Sequence, residues 1–418
     1  MKSIAVIGGG ITGVTTAYAL ALRGLDVTLF ERHAHPAMET SFANGGQLSA
    51  SHAEAWNSWS NVRKGLGWML RKDAPLLVRP APSWHKLSWF AEFLSAIPRY
   101  GDTTVSIARL AVEARRHLFA WAQAEDIDFD LRREGILHVY RDKAGFEHGG
   151  RVSALLAQGG LMRRAVTPAE MRAIEPALQG DYYGGHFTDS DSSGDIHKFT
   201  LGLARACERH GVRFLCGHEV QSVTPGVSIT ARTAGGEIVE YPIDAAVICA
   251  GTASRALAAA LGDRVNVYPV KGYSITVGLN TFGSRGAAPT VSLVDDALKL
   301  VASRFGQDRF RVAGTAEFAG FDREIRTERI RPLVDWVQRS FPSIDVSDVT
   351  PWAGLRPMMP DMQPRAGPGM LPGVFYNTGH GHLGWTLSAA TAEIVADMVA
   401  QAASMHYGER MRPSRRVA

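Results

Sequence analysis

The chain has 418 residues, room for two or three domains with a well-buried core, which excludes a small scaffold held together by disulfides or metal. Its 45% apolar and 21% charged residues are those of a globular protein, and a net charge of only +4 gives no reason to expect nucleic acid as a partner. Three cysteines, Cys207, Cys216 and Cys249, read as core thiols, and their odd count suits a reducing compartment.

The chain opens as strand, tight turn, helix, strand: Ile4 to Ile7 is short and apolar, a helix runs to Leu22, and Val27 to Phe30 closes on Glu31. Gly8, Gly10 and Gly13 have the spacing that lets the first amides of a helix reach a pyrophosphate. Glu31 stands where a carboxylate accepts hydrogen bonds from ribose hydroxyls. This is a dinucleotide fingerprint, compatible with FAD or NAD. Glycines interrupt the run Ser3 to Leu22, and two prolines with six glycines interrupt 366–392, so neither is read as a signal peptide or membrane span.

From Glu31 to about Pro82 the sequence is irregular and too long for a plain connection, the mark of a functional segment. Trp56, Trp59, Trp68, Trp84 and Trp89 crowd together there among Arg63, Lys64, Arg71, Lys72, Arg79 and Lys86. A helix from Leu87 to Ile97 is apolar around most of its circumference. Two readings stand open: a segment that touches lipid, or a cover packed over an active site.

Ile107, Leu110, Ala111, Ala114, Leu118 and Trp121 form one face of an amphipathic helix, Gly135 to Tyr140 reads as a strand, and Thr167-Pro168-Ala169-Glu170 is a capping box. A helix near Ile196 to His210, a strand Val212 to Leu215 and a buried strand Ala245 to Ala250 return the chain to the first domain. Strands at Tyr268 to Val277, Thr290 to Val294, Leu298 to Ser303 and Phe310 to Ala313 predict a second sheet, followed by a helix near Arg326 to Phe341. The chain closes with a strand Val374 to Thr378, a glycine-rich turn and a helix from about Leu383 to Ala400; the basic end, Arg410, Arg412, Arg415 and Arg416, reads as a solvated tail.

Two features favour FAD over NAD. Ala250-Gly251 brings a second strand end towards the dinucleotide, and Gly379-His380-Gly381-His382-Leu383 opens a second helix whose free amides suit the oxygens of a reduced flavin. The expected fold class is α/β, with a Rossmann-type FAD-binding domain assembled from 1–82, 196–266 and 351–418. An α+β substrate domain with a mainly antiparallel sheet is expected from 83–195 and 267–350.

The blocks Ile4 to Gly13, Glu39 to Gln47, Asp73 to Arg79, Tyr268 to Ser274, Trp352 to Asp361 and Asn377 to Trp385 occur in an order that resembles the FAD-dependent D-amino acid dehydrogenase family, within the group of D-amino acid, glycine and sarcosine oxidases. The resemblance implies oxidation of a D-amino acid to the imino or keto acid by hydride transfer to flavin, with electrons passed to a quinone. It further implies a cytoplasmic protein, peripheral on the cytoplasmic face of the inner membrane if the Trp-rich segment meets lipid. The cofactor set so implied is Gly8, Gly10, Ile11, Gly13, Glu31, Arg32, Ser41, Asn44, Gly45, Gly46, Val220, Gly251, Gly379, Gly381, His382 and Leu383. Leu48-Ser49-Ala50-Ser51-His52 and His382 depart from the alanine-type pattern and are similar to a branch for which cyclic substrates such as hydroxy-D-proline are expected. A glycine- or sarcosine-type oxidase using oxygen and a non-catalytic flavin-binding subunit are the alternatives.

Arg356 is the expected carboxylate ligand, because a guanidinium presents a rigid fork of donors and Pro357 holds it in extended backbone; Asp361 is the partner it would have in a purely structural ion pair. Tyr273 is expected to hydrogen-bond the substrate, and His52 or His382 to assist amine deprotonation. Hydride chemistry needs no protein nucleophile, so no Ser/His/Asp constellation is expected, and His380 and His382 lack a third ligand for a metal.

Overall fold

The computed structural model describes residues 3–68, 75–80 and 82–410; Arg71, Lys72, Arg412, Arg415 and Arg416 lie outside the described residues, as does the side chain of Trp68. The apolar run Ser3–Ile7 sits in the middle of a six-stranded sheet. It pairs in parallel with Asp26–Glu31 on one side and Ala245–Ile248 on the other. Arg213–Cys216 and Val374–Thr378 extend the parallel set, and Arg365–Pro368 closes one edge in the antiparallel sense. Both faces of such a sheet are covered, which is why its strands read as unbroken apolar runs.

The helix Ile11–Leu22 packs on the long helix Gly384–Arg410 through small residues, Ala17 and Ala19 on one and Ala389, Ala392 and Ala396 on the other, all buried. Tyr100–Ala124 covers the same layer, with Ala114, Leu118 and Trp121 in the shared core. The predicted capping box forms: Thr167 Oγ1 accepts from Glu170 N and the Glu170 carboxylate accepts from Thr167 N.

The second sheet has nine strands and is mainly antiparallel, with parallel pairing only where Ser292–Asp295 meets Ile136–Tyr140 and where Leu76–Val78 meets Arg309–Phe318. Its longest strand, Tyr268–Gly278, lies between Val349–Met358 and Arg309–Phe318. Two expected boundaries shift. Leu76–Val78 belongs to this sheet although it precedes 83, and Val349–Met358 crosses the expected break at 350/351 and stays whole in the sheet. That strand carries Pro351 and Pro357, which break a strand signal in sequence; as the sheet's edge it tolerates residues without an N–H to donate.

A helix and a small sheet are among the elements with no counterpart in the sequence reading. Lys143–Gln158 is a helix despite three glycines, and Gly149 is needed there because a Cβ would come within 2.5 Å of the Tyr140 hydroxyl oxygen. His218–Thr224, Ser228–Thr233 and Ile238–Pro242 form a small antiparallel sheet of largely polar, half-exposed residues, a weak apolar signal. Of the cysteines, Cys207 and Cys249 are core thiols, while Cys216 at a strand end is only half-buried, a correction to the reading of all three as core.

Candidate active site

A cavity of about 510 Å³ runs between the two sheets, from Ile11 at the start of the first helix to Arg356 in the second sheet. At its first end the backbone is tight. Gly8 has φ +109° and a Cβ there would lie 2.6 Å from Cys249 O, while a Cβ on Gly13 would strike Gly8 O. Gly10 differs: its nearest neighbour would be Ser41 Oγ at 3.6 Å, so a side chain there would grow into open space at the helix start.

Ile11 N donates to Ser41 Oγ at 3.0 Å, which satisfies one free amide of that helix. Glu31 accepts from Gly9 N at 2.6 Å and His33 N at 2.8 Å and is held at the turn beside the glycines. Asn44 Oδ1 accepts from Gly46 N, bending the Asn44–Gly46 turn along the cavity wall, and Gly45, Gly381 and Leu383 line it as well. Gly251 and Gly379 adopt positive φ at the ends of the strands Ala245–Ile248 and Val374–Thr378. Gly8, Gly10, Gly13, Glu31, Gly251 and Gly379 stand at the strand and helix ends without lining the cavity, and two further expected cofactor residues, Arg32 and Val220, sit apart from it. Arg32 pairs with Glu39 at the surface, and Val220 lies in the small antiparallel sheet, packed against the cluster that holds Ile7 and Phe30.

Gln47, Thr315 and Trp385 line the cavity, and Gln47 Oε1, Thr315 Oγ1 and Trp385 Nε1 are buried without a hydrogen-bond partner among the described residues. Buried polar atoms are rarely left so. A ring system rich in acceptors and donors, held along this wall with its diphosphate at the helix start, fits those groups.

Arg356 dominates the far end. Its Nη1 donates to Thr315 O at 2.7 Å and its Nη2 reaches Gly314 O at 3.5 Å. No carboxylate pairs with it among the described residues; Asp361 instead accepts from Gln363 N. Burial draws the guanidinium down to about 10, so it stays cationic at neutral pH. A buried cation with only carbonyls for company and an open cavity before it is a site for an anion. Gly272 lies across the strand pair beneath it, and Thr315, whose carbonyl accepts from Arg356, holds φ +58°, a costly conformation for a β-branched residue.

Tyr273 lines the cavity, but its hydroxyl donates to Glu317 Oε2 at 2.7 Å. Glu317 is buried among Lys271, Arg79 and Arg326. The substrate hydrogen bond expected of Tyr273 therefore has its donor engaged within the sheet, and burial together with Glu317 pushes the phenol pKa up.

The histidines form a polar end wall. His52 and His382 face each other at 5.2 Å between ring centres, Trp56 stacks on His382 at 4.9 Å, and His138 stands 6.1 Å from His52. Burial, with His138 beside it, takes His52 down to about 3; burial, with His52 and Arg356 nearby, holds His382 well below its ordinary value. His380 turns away from the cavity, its Nε2 at 2.9 Å from Thr391 Oγ1.

Sequence reading missed His138, Asp296, Lys299 and Glu54, which come from three separate segments, Asp296 and Lys299 sharing one turn. Ser51 Oγ lies 3.0 Å from His138 Nε2, and His138 Nδ1 lies 3.0 Å from Asp296 Oδ2. This is the Ser/His/Asp geometry that was not expected. Ser51 is 1% exposed and does not line the cavity, so the chain orients Asp296 and offers no nucleophile. Burial works to raise the Asp296 pKa, but the His138 hydrogen bond and Lys299 outweigh it and hold the group well below the ordinary value.

The Trp-rich segment divides. Trp89 is 1% exposed and donates to Met358 O at 2.9 Å, and Trp56, Trp89, Phe90 and Phe93 line the cavity. Trp59, Trp84 and Leu87 are exposed. No helix among the described residues is long and apolar enough to cross a membrane, and no group of His, Cys, Asp and Glu among them could hold a metal ion.

Residues 3–398 match the family model described as FAD dependent oxidoreductase. The chain is 57% identical over 402 residues to "D-amino acid dehydrogenase 3" of Mesorhizobium japonicum, covering 96% of this chain and 97% of that one. It is 42% identical to "D-amino acid dehydrogenase" of Paramagnetospirillum magneticum, with coverage of 95% and 94%. Among solved structures, glycine oxidase from Geobacillus kaustophilus superposes with a TM-score of 0.73 at 20% identity over 96% of this chain and 95% of that one, a likeness of fold.

Proposed function

The chain belongs to the family of FAD-dependent oxidoreductases, and from that premise we propose that it is a D-amino acid dehydrogenase. FAD, when bound, supplies the acceptor for the hydride leaving the substrate's α-carbon. The helix start at Gly10 and Ile11, the turn Asn44–Gly46 and the wall around Gly381 would hold it. Arg356 binds both substrate carboxylate oxygens through its fork of donors, fixing the plane of the carboxylate, and the cavity wall then limits where the α-hydrogen can point. Trp56, Trp89, Phe90 and Phe93 exclude water from the reacting atoms. The substrate becomes the imino acid, with one hydride and one proton removed; for a primary amine, water then adds to the C=N carbon and ammonium leaves, giving the keto acid.

The observation that carries this reading is the cationic Arg356 facing the cavity with no carboxylate partner among the described residues. The flat wall of stacked Trp56 and His382, with Asp296 and Lys299 on the same cavity, favours a cyclic imino acid bearing a hydroxyl, such as hydroxy-D-proline, over D-alanine. For the electron acceptor we read a quinone reached from a membrane surface. This is supported by exposed Trp84 and Leu87 on the helix Trp84–Ser95, whose Phe90 and Phe93 line the cavity.

An anaerobic screen of flavin bleaching across D- and L-amino acids, including D-proline and its hydroxylated forms, tests the reading. Reduction by D-forms alone is expected. Reduction by L-forms alone would contradict it, and stoichiometric peroxide in air would move the assignment to an oxidase.

A further inference from the structure

We propose that Glu54 and His148 form the path by which the proton of the substrate's amine leaves the cavity. The inference rests on the dehydrogenase reading: removal of a hydride from an ammonium-bearing carbon also frees one proton per turnover. That proton starts at the substrate, inside the cavity.

The end-wall imidazoles are poor carriers. His52, His138 and His382 are buried, and their depressed affinities leave a proton on any of them costly. Asp296 leads through His138 to Ser51, which is sealed from solvent. Glu54 is placed differently. It lines the cavity, and its Oε1 accepts from the Tyr100 hydroxyl at 2.8 Å and meets His148 Nε2 at 3.0 Å. His148 belongs to the helix Lys143–Gln158 and its side chain is 40% exposed. One carboxylate and one imidazole therefore span from the cavity to water.

The step balances without any electron moving. An amine N–H bond breaks as an O–H bond forms on Glu54; the exposed His148 ring, which donates through Nε2 while Glu54 is ionised, exchanges with water to its Nδ1–H tautomer and takes the Glu54 proton on Nε2. The imidazole then releases its Nδ1 proton to bulk water, since the ring can take a proton on one nitrogen and yield it from the other. The charged and titratable groups facing the pair are Tyr100, Tyr140, Arg151, Asp296 and Lys299. Burial works to raise the Glu54 pKa, and the His148 hydrogen bond with Lys299 overrides it, so the carboxylate is ionised and ready to accept at neutral pH.

The test is stopped-flow flavin reduction of the FAD-loaded enzyme by its D-amino acid from pH 6 to 10, with a pH-indicator dye recording proton release. Glu54→Gln should slow reduction about a hundredfold near pH 7, and His148→Gln about tenfold, within the usual range for a lost proton-transfer group. Both defects should fade towards alkaline pH, where the amine sheds its proton unaided, and Glu54→Asp should recover part of the loss. FAD content and Tm serve as controls, and if Glu54→Gln fails to fold, Glu54→Asp and His148→Gln carry the same pH comparison. A wild-type pH profile in the variants, or an equal defect at every pH, would overturn the path. If wild-type flavin is reduced by no D-amino acid, the dehydrogenase reading fails and takes this inference with it.

Discussion

A Cβ on Gly272 would lie 2.3 Å from the guanidinium carbon of Arg356, so the glycine exists to give that side chain its place. Gly272→Ala should therefore push the guanidinium aside and lower kcat/KM by about ten- to a hundredfold, the usual cost of an ångström's misplacement, with FAD content unchanged. Steady-state kinetics beside the flavin spectrum check this, and unaltered kcat/KM would show that Arg356 is not held by this contact. Arg356 itself was legible in sequence because it sits beside Pro357 in a block that resembles the family. Gly272 was not, since its role depends on the register that sets Val270 opposite Arg356 and Gly272 opposite Gly354. Tyr273 was misread for a similar reason: nothing local to it announces Glu317, its actual partner.

Among the elements, the helix Trp84–Ser95 has a packed inward side, as an active-site cover requires, and an exposed Trp84, on which the lipid reading would rest. Its capping Ser83 accepts from Lys86 N, and its inward side carries Trp89, packed against Phe93 and Phe318. Trp89→Ala should destabilise the protein by about 3–5 kcal/mol, the range for emptying a large aromatic site, read as a fall in the denaturation midpoint. Trp84 is 88% exposed, so Trp84→Ala should leave stability unchanged and reduce retention on anionic liposomes in a salt-sensitive way. Retention equal to wild type would remove the support for a membrane-borne acceptor. The elements that sequence missed, Lys143–Gln158 and Val349–Met358, carry glycine or proline that tertiary packing or an edge position tolerates.

For the whole molecule, burial of neutral imidazoles predicts acid sensitivity. His52 and His380 are taken from an ordinary 6.5 to about 3 by burial, and His186 to about 4. The unfolded chain then binds more protons than the folded one below about pH 6.5, so stability is full above that point and falls as pH drops from 6.5 towards 3. Glu39, lowered from 4.5 to about 2 against the pull of burial by Arg323 and His33, adds a further loss between those values. A Tm that is flat from pH 6.5 to 4 would contradict this. The architecture behind it was largely readable: the βαβ opening, the return of the chain at Ala245–Ile248 and the second sheet all have strong apolar periods. At the polar end only Arg356, His52 and His382 were legible, because Glu54, His138 and Asp296 reach it from three distant segments. The central claim is that this cavity oxidises an amino acid whose carboxylate Arg356 holds, and anaerobic flavin reduction of Arg356→Ala and Arg356→Lys by the best D-substrate tests it most directly. Both variants should keep full FAD content, with about a hundredfold loss of second-order reduction rate for Ala and partial recovery for Lys, which keeps the charge without the fork. A near-normal rate for Arg356→Ala, or a loss that merely follows lost FAD, would contradict it.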